Sequence, residues 1–385
     1  MTRKKTKKPA IVRNFVLISA IIMFLVMQVI ALDNTPLKKH DHTQEIEGIK
    51  EREVDAGKII LGHIVDAHEW HILDIGDFHL SVYLPVILWH EGKLHFFMSN
   101  KFHHGKDDYK GFGIGQEGFL KGKIVRTHQE KYLSEGIIVH DPDQKLPLDF
   151  SITKNVFAIF ISLILISWLF ISIAKTYTKR RNQAPSGIQS LLEPLILFVR
   201  DDIAKASIGP HYERFMPYLL TLFFFIFLNN LLGLVPIFPG GANVTGNLAV
   251  TGVLAFFTFF WVNLSGNKNY WQHIFNTPGV PWWLKFPLPL MPIVELLGVF
   301  TKPLILMIRL FANISAGHFI ILGFISLIFI FGEMHALYGY GISVVSILFA
   351  IFINTLELLV AFIQAYVFTL LSALFLGQAT EEHHH

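Results

Sequence analysis

Seven residues able to do chemistry stand where chemistry is costly. Glu295, Lys302, Arg309, Asn313 and His318 fall in one long apolar stretch, and Glu357 and Gln364 fall in the next. An ionisable side chain at membrane depth costs about 2.5 to 3.5 kcal/mol on insertion scales, so each is a candidate functional position. Arg309 is the extreme case, because a guanidinium keeps its charge inside a protein. Glu295, Lys302 and Arg309 are seven apart and Asn313 follows four later, which on a helix sets all four near one stripe. His318 comes nine residues after Arg309, about 180° around the helix and about 13 Å along it, and so looks toward a different compartment. Glu357 and Gln364 share one face of the last helix. The pattern is a charge barrier with a polar, proton-accepting cluster on each side. A fixed central cation repels the cations that the flanking acids invite, so a second protein carrying an acid past Arg309 fits better than a simple pore. The plain alternative is a structural ion pair between Arg309 and Glu357. Ala312, Ser315, Ala316 and Gly317 would let a neighbouring helix pack closely around the site.

These residues need a bilayer to position them. Of 385 residues 52% are hydrophobic and 16% charged, against about 25% charged in soluble domains. The charges are segregated: residues 33–150 carry 34 of the 61, and residues 215–380 carry seven. A net charge of +3 without a basic, aromatic-lined groove argues against nucleic acid. The absence of cysteine excludes disulfides, thiolate metal sites and cysteine nucleophiles, and no GxxxxGK[ST] loop is present.

Five spans follow from hydropathy. Residues 156–174 cross and end in Lys175, Lys179, Arg180 and Arg181, which puts that end in the cytoplasm. Residues 187–206 are amphipathic and read as an interfacial or connecting helix. Residues 216–235 cross outward, and residues 247–264 cross back to a loop holding Lys268 and Lys285. Pro287, Pro289 and Pro292 then precede a stretch at 293–331, in which Pro303 is expected to kink the helix. An outer turn at 333–340 leads to a last helix at 341–377. Both are too long for upright spans and should tilt, kink or leave the bilayer.

The chain before the first of these spans divides differently. Six basic residues (Arg3, Lys4, Lys5, Lys7, Lys8, Arg13) precede an uncharged run at 15–31 that ends Val29-Ile30-Ala31, as in a cleaved signal peptide or a permanent first helix. Either places residues 32–150 outside the cytoplasm. There, Phe78-His79-Leu80-Ser81-Val82-Tyr83-Leu84 alternates with period two, and Glu91-Gly92-Lys93 turns into Leu94-His95-Phe96-Phe97, which predicts hairpins in a mainly β domain. Gly113-Ile114-Gly115-Gln116-Glu117-Gly118 fits GxGxxG but lacks a strand-to-helix frame and reads as a glycine turn. Twelve of 19 histidines lie here, including His63, His68, His71, His103 and His104. His68-Glu69-Trp70-His71 spaces its histidines by three rather than the four that a helical zinc motif needs, so a solvated, pH-tolerant or pH-sensing surface competes with metal binding.

Thr301-Lys302-Pro303 followed by Arg309-Leu310-Phe311-Ala312-Asn313-Ile314-Ser315-Ala316-Gly317-His318 resembles the signature of subunit a of F-type ATP synthases. The resemblance covers about residues 150–382, through Asn230-Leu231-Leu232-Gly233-Leu234-Val235-Pro236, Glu295, Glu357, Gln364 and Glu381-Glu382-His383. It implies a non-catalytic, proton-translocating stator subunit of the bacterial inner membrane, without a cofactor. Its expected partners are the ring of c subunits, the peripheral-stalk b subunits, the rest of the complex and membrane lipid. By similarity Arg309 would attract the deprotonated ring carboxylate and block direct proton slip, with Asn313 and Gln364 flanking it. His318 and Glu357 would line the outer half-channel, and Glu295, with Lys302 beside it, the cytoplasmic one. Relative to some bacterial relatives the acid and the histidine at 318 and 357 are exchanged, and Gly233 stands where some have an acid.

The expected organisation is an all-α polytopic membrane domain at 151–380 with about five transmembrane segments, the last two long and tilted. A signal peptide or helix at 1–31, a His-rich extracytoplasmic domain at 32–150 and a cytoplasmic tail at 381–385 complete it. The closing His383, His384 and His385 are native or a tag remnant and carry no assigned function. A secondary transporter would predict matched internal halves, which are not found. A membrane hydrolase would predict a helical metal motif, which the histidine spacing opposes. The choice of proton or sodium lies largely with the ring.

Overall fold

The computed structural model describes residues 66–75, 78–105, 107–116, 120–127, 145–180, 183–235, 238, 240–276, 280–281 and 290–381. The leader at 1–31, His63, the end of the glycine motif at Glu117 and Gly118, Lys285, Pro287, Pro289 and the terminal Glu382 to His385 lie outside these residues.

The N-terminal domain is mainly β, as its alternation requires. Strands β1 (Glu69–Ile75) and β2 (Phe78–Tyr83) pair antiparallel. Strands β3 (Pro85–His90) and β4 (Lys93–Met98) form a hairpin joined by β7 (Leu148–Asp149) in the order β4-β3-β7. Both Glu91 and Gly92 have positive φ, the backbone that a tight two-residue hairpin turn needs. Strands β5 (Phe112–Ile114) and β6 (Ile124–Arg126) pair antiparallel, so Gly113 belongs to a strand pair and not to a nucleotide-binding turn. Val86, Leu88, Phe97, Phe102, Phe112 and Ile124 make this domain's core. His71 lies in β1, which removes the helical frame of a zinc motif.

The rest is helical: α1 (Lys154–Lys179), α2 (Ile188–Phe198), α3 (Tyr212–Leu234), α4 (Leu248–Ser265), α5 (Lys268–Phe275), α6 (Leu290–Met334) and α7 (Ala336–Thr380). Among the described residues five stretches, 154–179, 188–234, 248–265, 290–334 and 336–380, are long and apolar enough to cross a membrane. The starts are capped: Thr153 accepts from Val156 N, Asn247 from Ala249 N and Asn267 from Tyr270 N.

Of the two readings of the amphipathic stretch the structure takes the connecting one: α2 runs through a wide helical turn at Val199–Lys205 toward α3, and Val199, Ile203 and Ala204 are fully buried in the common core. The last two helices are 45 residues each, longer than the hydropathy limits set. At 1.5 Å per residue each is about 67 Å long, over twice the hydrocarbon thickness, so neither stands upright within it. The helix continues through Pro303, and Pro292 sits in its first turn, where a missing N–H costs nothing. The turn expected across 333–340 shrinks to a break at His335, whose Nδ1 accepts from Leu337 N at 3.2 Å. Gly332 and Gly339 make this tight return feasible, since a Cβ on Gly339 would meet Gly332 Cα at 2.8 Å.

The helices α6 and α7 are antiparallel. Lys302 faces Gln378, Gly317 faces Glu357 and Phe324 stacks on Phe349. Apart from each other, α6 and the first half of α7 are little covered by the chain, whereas α3 is buried almost all round. Phe223, Phe224, Phe225, Leu219 and Leu222 of α3 anchor the core, against which α1, α4 and the second half of α7 pack.

Candidate functional site

The face of α6 that carries Arg309 is not covered by the rest of the chain. Arg309, Ala312, Asn313 and Ala316 are exposed along it, while Leu306, Leu310 and Ile314 turn inward. Among the described residues no carboxylate lies within ion-pair distance of the Arg309 guanidinium. The structural Arg309–Glu357 pair is therefore not formed. Ala312 and Ala316 keep the surface beside the guanidinium low, which permits close approach by another helix.

Glu357 instead points into the bundle. It is 4% exposed, and neither carboxylate oxygen has a hydrogen-bond partner among the described residues. It lies directly against Gly317, whose missing side chain makes its space: a Cβ there would come within 2.6 Å of Glu357 Cδ. His318, the next residue, is half-buried and turned to α3, where a Cβ added to Gly233 would stand 3.7 Å from its Nε2. The adjacent pair Gly317-His318 thus touches two walls, α7 through the glycine and α3 through the imidazole. Gln364 is buried two helical turns along α7 from Glu357, with Ala361 between them.

Uncharged polar residues surround this inner cluster. Asn230 of α3 donates to Ala361 O at 3.2 Å and accepts from Thr245 Oγ1 at 2.5 Å. Ser315 Oγ donates to Gly246 O at 3.4 Å. The Asn243 amide is buried with both heteroatoms unpartnered among the described residues, as are Asn229 Oδ1 and Thr369 Oγ1. Buried polar atoms are normally satisfied, and a polar site of this kind is one that water satisfies. Sequence reasoning missed Asn229, Asn243, Thr245 and Thr369. Their signal was polarity inside an apolar run, which charge counting does not weigh.

At the other end of α6, Lys302 donates to Gln378 Oε1 at 3.3 Å and lies 5.3 Å from the Phe375 ring centroid. It borders a crevice between α4, α5, α6 and α7 that also presents Asn263, Tyr270 and Thr258. Glu295 is half-buried two turns nearer the start of α6 and does not join Lys302. The seven residues therefore form three groups: Arg309 with Asn313 on the open face, His318 with Glu357 and Gln364 inside, and Lys302 with Glu295 toward the start of α6.

Comparison with known proteins agrees with the residue pattern. Residues 156–377 match the ATP synthase A chain family, and residues 59–150 match a domain family of unknown function. The chain is similar to ATP synthase subunit a of Chloroherpeton thalassium, with 43% identity over 270 residues, 68% of this chain and 76% of that protein. It is 48% identical over 250 residues to ATP synthase subunit a 2 of Chlorobaculum tepidum, covering 63% of this chain and 67% of that one. With subunit a of Myxococcus xanthus it shares 44% identity over 246 residues, 62% of this chain and 76% of the relative. A match over more than half the chain, together with five long apolar helices among the described residues, leads to one conclusion: this chain belongs to the ATP synthase A chain family, the non-catalytic, proton-transporting membrane subunit of the synthase.

Proposed function

We propose that Arg309 is the stator arginine facing a ring of c subunits, and that two offset half-channels meet on either side of it. His318 and Glu357 relay protons in the outer half-channel, Gln364 and Asn313 flank the arginine, and Glu295 with Lys302 serves the cytoplasmic one. The observation that carries this reading is the division of α6 into two faces: Arg309 lies uncovered and, among the described residues, unpaired, while Gly317 and His318 turn into the bundle, where Gly317 meets the buried Glu357 of α7. An unpaired guanidinium at membrane depth is costly, and a carboxylate delivered by each passing ring subunit offsets that cost once per step. Proton flow down the gradient then requires rotation, with about 2.3 kcal/mol per charge available per 100 mV.

The topology that accompanies this reading places residues 1–31 as a leader or first helix, residues 32–150 on the outer side and residues 381–385 in the cytoplasm. The membrane domain at 151–380 contacts the ring, the peripheral-stalk b subunits and lipid. The positive charges at Lys175, Lys179 and Arg180 at the end of α1 support this orientation. The test is ATP-driven proton pumping and passive proton permeability in vesicles with the assembled complex, comparing wild type with Arg309→Ala. Loss of pumping with normal assembly and a raised leak is the expected result. Intact coupling would overturn the role of Arg309.

A further inference from the structure

The outer domain is joined to the membrane domain without a slack linker. Asp66 accepts from Asn155 N at 3.0 Å and from Thr153 Oγ1 at 2.7 Å, so an outer-domain carboxylate caps the start of α1. Lys154 N donates to Ala67 O at 2.8 Å, and His68 Nε2 pairs with Asp149 Oδ2 at 3.1 Å just upstream. Trp70 is buried in the core of the membrane domain, with its ring edge-on to Phe157 of α1 and to Phe238 of the α3–α4 connection, at 5.9 and 5.2 Å. That connection leaves α3 beside Gly233, the residue that meets His318. The outer domain therefore sits over the outer end of the cluster that holds His318.

Lys154 occupies the seam. It is half-buried in the first turn of α1, and its ammonium lies 5.7 Å from the Trp70 ring centroid. A lysine at a helix end ordinarily extends its ammonium to water. This one lies against a buried indole, at the helix start that Asp66 caps. Lysine is a compact charge on a flexible stem with three donors, suited to ordering water along a narrow polar path.

We propose that the outer half-channel reaches His318 through this seam, with Lys154 of α1 and the Asp66-Ala67-His68 segment of the outer domain as its two walls. The inference rests on the half-channel reading above and adds a wall to it: the outer domain is a built part of the proton path, and Lys154 is a positioning residue that orders the water leading to His318.

The chain has no cysteine, so thiol labelling can test this site by site. Ala67→Cys and Lys154→Cys variants of the full complex are treated from the outer face with an anionic or a cationic methanethiosulfonate, and ATP-driven pumping is then measured in inverted vesicles. Leu94→Cys, on the exposed face of β4, is the labelled control. The expected result is loss of pumping on labelling at 67 and at 154, with no loss at 94. Adding Lys154→Gln to Ala67→Cys should shift the labelling preference toward the cationic reagent and lower pumping at unchanged complex content, and Lys154→Arg should restore both. Labelling at 67 and 154 with full pumping retained overturns the proposal, and so does failure of both to label while 94 reacts. If Lys154→Cys does not assemble, Ala67→Cys decides alone, since adding a thiol to alanine is a small change. Failure here with Arg309→Ala still uncoupled removes only the seam, whereas intact coupling in Arg309→Ala removes the half-channel reading itself.

Discussion

Replacing Gly317 with alanine tests how Glu357 is held. The added Cβ would lie 2.6 Å from Glu357 Cδ and 2.8 Å from Cγ, with Oε1 closer still. Carbon atoms pack at about 3.5 to 4.0 Å, so the carboxyl group must withdraw by about 1 Å. Overpacking of this kind costs about 1 to 3 kcal/mol, and the helix pair absorbs it because Glu357 can change rotamer. Assembly should therefore survive while the proposed proton relay through Glu357 loses its alignment. A displacement of about 1 Å in a reacting group costs up to about 100-fold in rate. Acidification of inverted vesicles by ATP hydrolysis should fall by about 10- to 100-fold in Gly317→Ala, at unchanged complex content by immunoblot. Adding Glu357→Asp, which retracts the carboxylate by one methylene, should restore part of the flux. Wild-type pumping in the single variant would refute the contact between Gly317 and Glu357 as the determinant of the relay.

Other outcomes follow from other contacts. Burial pulls the His68 imidazole down, but its hydrogen bond to Asp149 and the charges of Asp149, Asp66 and Glu69 outweigh that, so it lies above the usual histidine range. Burial pushes Asp149 up, and its bonds to His68 and Ser151 overcome this and hold it low. The stabilisation from His68 is complete below the unfolded imidazole value of about 6.5 and is lost as pH rises through the folded value. That from Asp149 is present above the unfolded carboxylate value and is lost as pH falls through the depressed one. Protection of β1 and β7 amides in the intact complex, taken relative to intrinsic exchange at each pH, should be greatest between those limits, and His68→Ala should abolish the alkaline arm. Asn230→Leu removes the donor to Ala361 O and the acceptor for Thr245, and at about 1 to 3 kcal/mol for groups left unsatisfied it should lower the complex's thermal midpoint. Asn267→Ala removes the cap of α5 and the bond from its amide to Glu381 O, costing about 1 kcal/mol and raising proteolysis at the C-terminus.

Much of the helical order was legible because bilayer and water impose local patterns. The apolar runs and the basic end of α1 mark α1 and α4 to within about five residues. The outer hairpin was equally legible from period-two alternation and the Glu91-Gly92 turn. Boundaries failed where hydropathy has no contrast. The turn of one residue at His335 is flanked by helix that continues well past the apolar window, because close packing of Gly332 on Gly339 stabilises it and lipid preference does not.

The sequence by itself determined that α6 bears Arg309 on one stripe and His318 across from it, since spacing along a helix fixes angle. Only the tertiary structure decided what each stripe meets. Glu357 could equally have paired with Arg309; the rotation and register of α7 put it on Gly317 instead, through contacts such as Phe324 with Phe349 and Lys302 with Gln378. Lys154 was indistinguishable from an ordinary helix-end lysine until Trp70, far away in the chain, packed against its ammonium and against Phe238. Hydropathy and periodicity are properties of one segment, whereas helix rotation and register are set by interdigitating side chains from several, and those contacts decide which polar groups share a site.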